Sequence, residues 1–369
     1  MAVAPIHFDS SKSNEFYSAV KLRVNLYFET SGKSRYADWL IAIKSLLFGS
    51  GIGLCYSAIL IAPWSGKWIY FLLSLLFGVF ALLFAINLAH DAVHFALFPN
   101  KKANHFIQLF AFSLIGVDGN LWQLRHNKAH HIIPNVEGAD SAVTKNPFVR
   151  LSPHQPTLPH HRFQHFYAPF LYGFIVLHSA FRQDFLYLFN KKQLRGIGRV
   201  EYSRKQLVEF VLSKAFYFLL VLIVPLSVTS FTLTEVLIGY FSMTYVVSWL
   251  FVWLLIGTHF CEEAEFPVPD ETGQLGHNWA YHAMVTSVDW SPHSKCAQFL
   301  LGGANAHATH HLFPQICHTH YRHLSKVIEE EAERHSIPYH KISLGRMLIS
   351  HFRFLKAMGC GLTESNQNA

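Results

Sequence analysis

Residues 68–94 read WIYFLLSLLFGVFALLFAINLAHDAVH, an apolar run that ends on Asn87 and then on two histidines, His90 and His94. About 20 consecutive apolar residues suffice to cross the hydrocarbon layer of a bilayer. A segment in that setting must satisfy its own backbone hydrogen bonds, so the run predicts a helix. On a helix, His90 and His94 lie one turn apart on one face, and Asn87 shares it. The stretch therefore predicts a membrane helix that delivers two imidazoles to a boundary of the bilayer.

Working outward, three further runs have the same character, giving predicted spans at 40–62, 68–88, 208–228 and 236–258. They group into two hairpins. The turns PWSGKW and VTSFTLTE hold one basic residue, Lys67, whereas the flanking and middle segments are rich in Lys and Arg. The positive-inside tendency then places both termini and the middle segment in the cytoplasm. The expected fold is an all-α integral membrane protein: four transmembrane helices in two hairpins, with a cytoplasmic helical cap. Its parts are an N-terminal arm (1–39), a membrane domain (40–358, with the cap from 89–207 and 259–358) and a tail (359–369). Lys44 and Lys214, near the cytoplasmic ends of their spans, are expected to snorkel to the headgroups. The N-terminus has no apolar core of the kind a cleavable leader carries, so the first span reads as a permanent anchor.

Composition agrees. The chain has 369 residues, 51% hydrophobic and 14% charged, with 33 Phe and 8 Trp. A net charge of +7 is accounted for by basic flanks facing anionic lipid or an acidic partner, and no nucleic-acid role is expected. Cys55, Cys261, Cys296, Cys317 and Cys360 form no CxxC, which excludes a zinc ribbon and argues against a disulfide framework.

Two other stretches repeat the histidine pattern. LRHNKAHH carries His126, His130 and His131, and GGANAHATHHLFP carries His307, His310 and His311. If the first of these is helical, His126 and His130 stack, with His131 turned partly aside. With 25 histidines in the chain some HxxxH spacing arises by chance, but three boxes at membrane boundaries do not. Imidazole ligation suits zinc, copper, iron or nickel. Eight such ligands exceed one tetrahedral zinc, and neither HExxH nor paired Glu-x-x-His helices occur. Two metals with positions left open for oxygen, above a lipid-facing bundle, fit best, and the substrate is then apolar and membrane-borne. Metal transport is the competing reading, but it requires polar ligands near the bilayer midplane, which these spans lack.

The boxes HxxxH, HxxxHH and HxxHH, in this order around two hairpins, resemble the membrane fatty acid desaturase superfamily over roughly Leu40 to Tyr339. HDAVHFALFPNKKAN, WQLRHNKAHHIIPNVEGADS, HRFQHFYAPFLYG, THFCEEAEFP, NWAYHAMVTSVDWS and ICHTHY point to the bacterial linoleoyl-CoA and front-end branch. The resemblance implies a di-iron centre on His90, His94, His126, His130, His131, His307, His310 and His311, joined by His259 after the fourth span. It implies an oxygen-dependent fatty acyl desaturase, with a hydroxylase or acetylenase as the related alternative. The acyl group would be carried on coenzyme A, an acyl-carrier protein or a lipid. Electrons would come from an external ferredoxin or cytochrome-b5-like protein, and the setting would be a bacterial inner membrane with the site on the cytoplasmic side. Asp91, Asp140 and Asn305 are expected to orient imidazoles through their second nitrogens.

His307 stands where front-end enzymes generally carry Gln, which puts the double-bond position in doubt. No HPGG heme motif is present. The stretch SPHQPTLPHHRFQHF, with His154, His160, His161 and His165, reads as a proline-broken loop. HFIQLFAFSLIGVDG is too short to span and reads as an interfacial or re-entrant element, and Arg162, Lys191, Lys192, Arg195 and Arg199 read as solvated charge. His318, His320 and His323 stand near the start of a predicted amphipathic surface helix and read either as surface residues or as residues supporting the metal ligands from behind.

Overall fold

A computed structural model describes residues 6–61, 67–143, 146–189 and 200–361. Lys191, Lys192, Arg195 and Arg199, and most of the C-terminal tail, lie outside the described residues. The protein is mostly helical. Among the described residues, four helices are long and apolar enough to cross a membrane: Trp39–Ile61, Lys67–Val93, Arg204–Val228 and Leu233–Thr258. Their outer faces carry exposed Leu46, Leu54, Ile61, Trp68 and Leu212, apolar surface of a kind that a water-soluble chain buries. Inward faces pack through Phe77, Tyr217, Tyr240, Met243 and Val247.

Local chemistry sets where these helices begin. Ser203 with Gln206 and Thr232 with Glu235 form capping boxes at the third and fourth long helices. Asp118 caps the helix Gly119–Arg125, its Oδ1 accepting from Leu121 N–H at 2.6 Å. The second long helix runs past the expected boundary at 88, through a π-turn at Ala85–Ala89, so that His90 is still on it.

Lys44 and Lys214 do not snorkel; both are buried and point inward. Lys214 pairs with Asp184 at 2.6 Å and donates to the carbonyls of Gly116 and Ala180. The three N–H bonds of the Lys214 ammonium thus meet three acceptors, one of them a carboxylate, and this full pairing offsets the cost of taking the charge out of water.

Outside the long helices, Glu15–Ser31 packs on Tyr321–Arg334 through Phe16, Val20, Val24, Phe28, Leu324 and Ile328. Arg23 adds ion pairs to Glu330 and Glu331. Two short parallel pairs, His7–Phe8 with Gln274–Leu275 and Val288–Trp290 with His340–Ile342, tie distant segments together. Lys101–Ser113 is a helix that leaves Phe106 and Phe110 exposed.

His351, on the C-terminal helix Leu344–Gly359, accepts from Tyr172 O–H at Nε2 and meets the Phe260 carbonyl through Nδ1. Burial pushes its pKa down to about 4, against the opposing pull of the Phe260 carbonyl. The unfolded chain takes up this proton near pH 6.5 and the folded chain does not until about 4. This group therefore costs no stability above pH 6.5 and progressively more as pH falls toward 4. Melting temperature in detergent should decline over that window, with a shallower slope in His351→Gln; equal slopes would contradict the assignment.

Candidate metal centre

All nine histidines singled out above converge. Ligand-type atoms of His90, His94, His126 and His310 lie within 4.8 Å of one another, and those of His130, His259, His307 and His311 form a second such group. His131 lies between the two, with ring centroids 4.4 Å from His126, 4.6 Å from His94, 4.5 Å from His310 and 4.4 Å from His311. The third box, on the helix His307–Leu312, feeds both groups: His310 turns to the first, His307 and His311 to the second.

The second box departs from the simple helical reading. His126–His130 is a π-turn, with His131 N–H donating to the His126 carbonyl at 2.9 Å. The wider turn brings position i+5, not i+4, against His126: the Nε2 atoms of His126 and His131 are 3.0 Å apart. His130 is released to the other group, where its ring centroid is 4.6 Å from that of His259. One extra residue per turn thus divides a single box between two sites.

Several outward-facing nitrogens are held. Asp140 grips His130 Nδ1 at 3.0 Å, and its carboxylate also accepts from the N–H groups of Asn135 and Ala142. Burial raises the Asp140 pKa, but His130 and these backbone donors outweigh it and hold the carboxyl below its ordinary value. His259 Nδ1–H donates to the Thr286 carbonyl at 2.7 Å, and His310 Nδ1 lies 3.3 Å from Tyr321 Oη. Trp122 stacks on His126 with centroids 4.2 Å apart. Asn135, itself at φ +61°, donates to the carbonyls of His259 and Glu265 and so ties the segment after the second box to the His259 loop.

The inward-facing nitrogens fit a bound cation and little else. With Nδ1–H donating to Thr286, the neutral ring of His259 presents a lone pair at Nε2, and it faces His307 Nε2 at 2.8 Å and His311 Nε2 at 3.1 Å. His94 Nε2 and His310 Nε2 are buried with no hydrogen-bond partner. Burial first, and the neighbouring imidazoles second, push His94, His126, His131, His307, His310 and His311 well below 6.5, and burial takes His259 down to about 3. Neutral imidazole is the ligating form, and buried ring nitrogens without a hydrogen-bond partner, as at His94 and His310, are costly unless a metal sits among them.

Two residues expected to orient imidazoles of the nine do not. Asp91 instead accepts from Nδ1–H and the backbone N–H of His318, and Asn305 donates to the Ser291 carbonyl. Of the two places the sequence leaves open for His318 and His320, the surface is excluded, since both are buried. His154 Nε2 bonds the Phe266 carbonyl, and His160 and His161 bond that of Pro147, so this cluster stands apart from the nine. Asp289 had no role in the sequence reading. Its Oδ1 accepts from Ala308 N–H at 2.8 Å, which supplies the third-box helix with the cap that Ala306 lacks, and Tyr339 O–H holds Oδ2 at 2.7 Å. The only trace of these supports in the sequence is local: Trp122 precedes His126 by one turn, and Asp140 follows His130 within one loop.

Asp140→Ala should leave the chain folded while lowering metal affinity by roughly 10- to 100-fold, the range for losing a carboxylate behind a ligating imidazole. Competition against a calibrated chelator measures this, and an unchanged affinity would remove Asp140 from the site.

A helical chain with four candidate membrane spans and two adjoining groups of buried and half-buried imidazoles defines a class: membrane proteins built around a polyhistidine site. The fatty acid desaturase family model matches residues 65–343, and the chain belongs to that family. It is 28% identical to an acyl-lipid (8-3)-desaturase of Physcomitrium patens, covering 98% of this chain and 75% of that relative. It is 29% identical to the sn-1 linoleoyl-lipid 6-desaturase of Synechocystis, covering 93% of this chain and 95% of that one. An acyl-lipid (8-3)-desaturase of Mortierella alpina is also 29% identical, with 93% of this chain and 78% of the relative covered. The protein is a membrane fatty acid desaturase, an oxidoreductase acting on fatty acyl chains.

Proposed function

We propose that the protein is a di-iron desaturase of membrane acyl lipids, with His90, His94, His126, His130, His131, His259, His307, His310 and His311 as the metal ligands. The observation that carries the reading is the pair of four-imidazole groups with His131 between them. Eight or nine neutral nitrogens suit two borderline metals and leave positions open for a small co-substrate. The names of the relatives, acyl-lipid and linoleoyl-lipid desaturases, favour an acyl chain esterified to a lipid.

When bound, two irons would supply the reduction of dioxygen to two waters, taking two hydrogen atoms, that is two electrons and two protons, from adjacent acyl carbons, and two further electrons and two protons from outside. The protein's own work is positional. Asp140 and the Thr286 carbonyl hold His130 and His259 in the tautomer that presents Nε2 inward, and Trp122 keeps the His126 ring from turning. Asp289 fixes the start of the third-box helix and hence three ligands at once. In this reading the acyl tail runs from the imidazoles into the apolar interior of the helix bundle, among side chains such as Leu82, Ile86 and Leu301. Apolar walls there exclude water from the reacting carbons.

In this reading the four spans form two hairpins, the histidines face the cytoplasm, and the basic flanks follow the positive-inside tendency. Electrons come from a separate ferredoxin or cytochrome-b5-like protein. Expression in a host that lacks polyunsaturated lipids, followed by mass spectrometry of its acyl chains, tests the function. A new alkene on lipid-bound chains is expected; a hydroxy-acyl product without an alkene, or no new product from an iron-loaded chain, would overturn it.

A further inference from the structure

Lys44 lies in the first long helix and is fully buried among groups that have no part in the nine-histidine site. Its amino group donates to Asn87 Oδ1 at 2.8 Å, to the Gln298 carbonyl at 3.1 Å and to His318 Nε2 at 2.7 Å, which uses all three N–H bonds. Since lysine has nothing to accept with, His318 Nε2 must carry a lone pair, and the proton sits on Nδ1. That Nδ1–H donates to Asp91 Oδ2 at 2.8 Å, and the His318 backbone N–H meets the same oxygen at 3.1 Å. Asn87 Nδ2 donates onward to the carbonyls of Leu83 and Leu300, and Gln298 Nε2 to the carbonyl of His318. The network is closed, with an ammonium at one end, a carboxylate at the other and an imidazole between. Asp91, Cys317 and His318 also bring ligand-type atoms within 4.8 Å of one another. The lysine ammonium already provides the positive charge that such a group attracts.

Asn87 and Asp91 turn to Lys44 and His318, whereas His90 and His94 turn to the first imidazole group. Asn87 therefore does not share the face of His90 and His94 that regular helical spacing predicts, because it lies in the π-turn that precedes them. The two pairs interleave across the end of the π-turn Ala85–Ala89, where the rotational register of the helix is reset.

We propose that Lys44, acting through Asn87 and through His318 on Asp91, is a positioning residue that fixes the rotation of the first-box helix and so the placement of His90 and His94. A ring nitrogen well outside the 2.3 Å radius of a helix backbone moves by about 1 Å for a rotation of roughly 10°. A misplacement of about 1 Å at a reacting site costs on the order of 100-fold in rate. The first helix supplies no imidazole, and its contribution to the site is this clamp. The inference rests on the dimetal reading above and deepens it.

The test uses the full chain loaded with 57Fe in detergent, comparing wild type with Lys44→Met, Asp91→Asn and the double variant by Mössbauer spectroscopy, iron count and steady-state kinetics. Only the group containing His90 and His94 is clamped, so one of the two iron signals should change in Lys44→Met while the other stays. Turnover should fall by roughly 10- to 100-fold with KM within about twofold, as expected for lost positioning rather than lost binding. The double variant should be no worse than the more impaired single variant, because both act through one network. If Lys44→Met does not fold, Asp91→Asn alone should reproduce the selective change. Unchanged spectra with turnover within about twofold of wild type, two signals shifting together, or additive losses in the double variant would each overturn the clamp. A wild-type chain holding fewer than two irons is a different failure, that of the dimetal reading itself.

Discussion

His310→Ala abolishes product formation while the chain still inserts into the membrane. His310 is the imidazole that brings the third box to the His90, His94 and His126 group, with its centroid 4.3 Å from that of His90. Without it that group keeps three rings, none of which can move to the vacated position, because His94 and His126 are held on separate helices. Loss of a supporting carboxylate alone costs roughly 10- to 100-fold in affinity or activity, so loss of a ligand should exceed roughly 100-fold. Insertion depends on the four long apolar helices, which the substitution leaves untouched. Acyl-chain analysis alongside membrane fractionation reads both outcomes, and retained product would contradict the ligand assignment.

The second large effect concerns a glycine. Gly302 has φ +56° and ends the helix Lys295–Leu301, and a Cβ there would stand 2.3 Å from the Ile86 carbonyl oxygen. Ile86 belongs to the π-turn that leads into His90, so backbone meets backbone with no side chain to swing aside. The left-handed conformation costs an ordinary residue about 1–2 kcal/mol. Overpacking adds typically 1–3 kcal/mol, against a total stability of roughly 5–15 kcal/mol. Gly302→Ala should therefore lower the yield of monodisperse protein severalfold and depress its melting temperature. Gly53→Ala serves as the control. Gly53 sits within the first long helix with nothing inside 4 Å of its Cβ position, and alanine there should be neutral or stabilising. Equal behaviour of the two variants would refute the close approach at Gly302.

These two positions also mark what could be read from residues alone. Spans and histidine boxes are local patterns: an apolar run of fixed length and imidazoles at helical spacing carry their meaning within a few residues. The convergence of three boxes follows from placing them on one side of such helices. What the spacing did not carry was the sorting of ligands. A regular helix predicts that His126 and His130 act together, whereas the π-turn sends them to different groups and brings His131 to His126. Nothing in LRHNKAHH announces that turn, because a π-turn depends on what the neighbouring helices press against it.

Long-range polar contacts were equally hidden. Asp91 is one residue from His90, yet its partner, His318, lies 227 residues away. Lys44 looked like a snorkelling cation because only its depth along the helix is legible, not its direction. Asn305 stood beside the third box and bonds a serine carbonyl, while Asp289, eighteen positions before His307, is the residue that caps its helix. Proximity in sequence was a sound guide for Asp140, where a single loop closes on His130, and failed wherever the partner came from another segment.

The central claim is that two metals lie among nine imidazoles. Anomalous diffraction at the iron edge from crystals of the iron-loaded, full-length protein tests it most directly. Two peaks are predicted, one among His90, His94, His126 and His310 and the other among His130, His259, His307 and His311. A single peak, or density centred on Asp91, Cys317 and His318 instead, would contradict it.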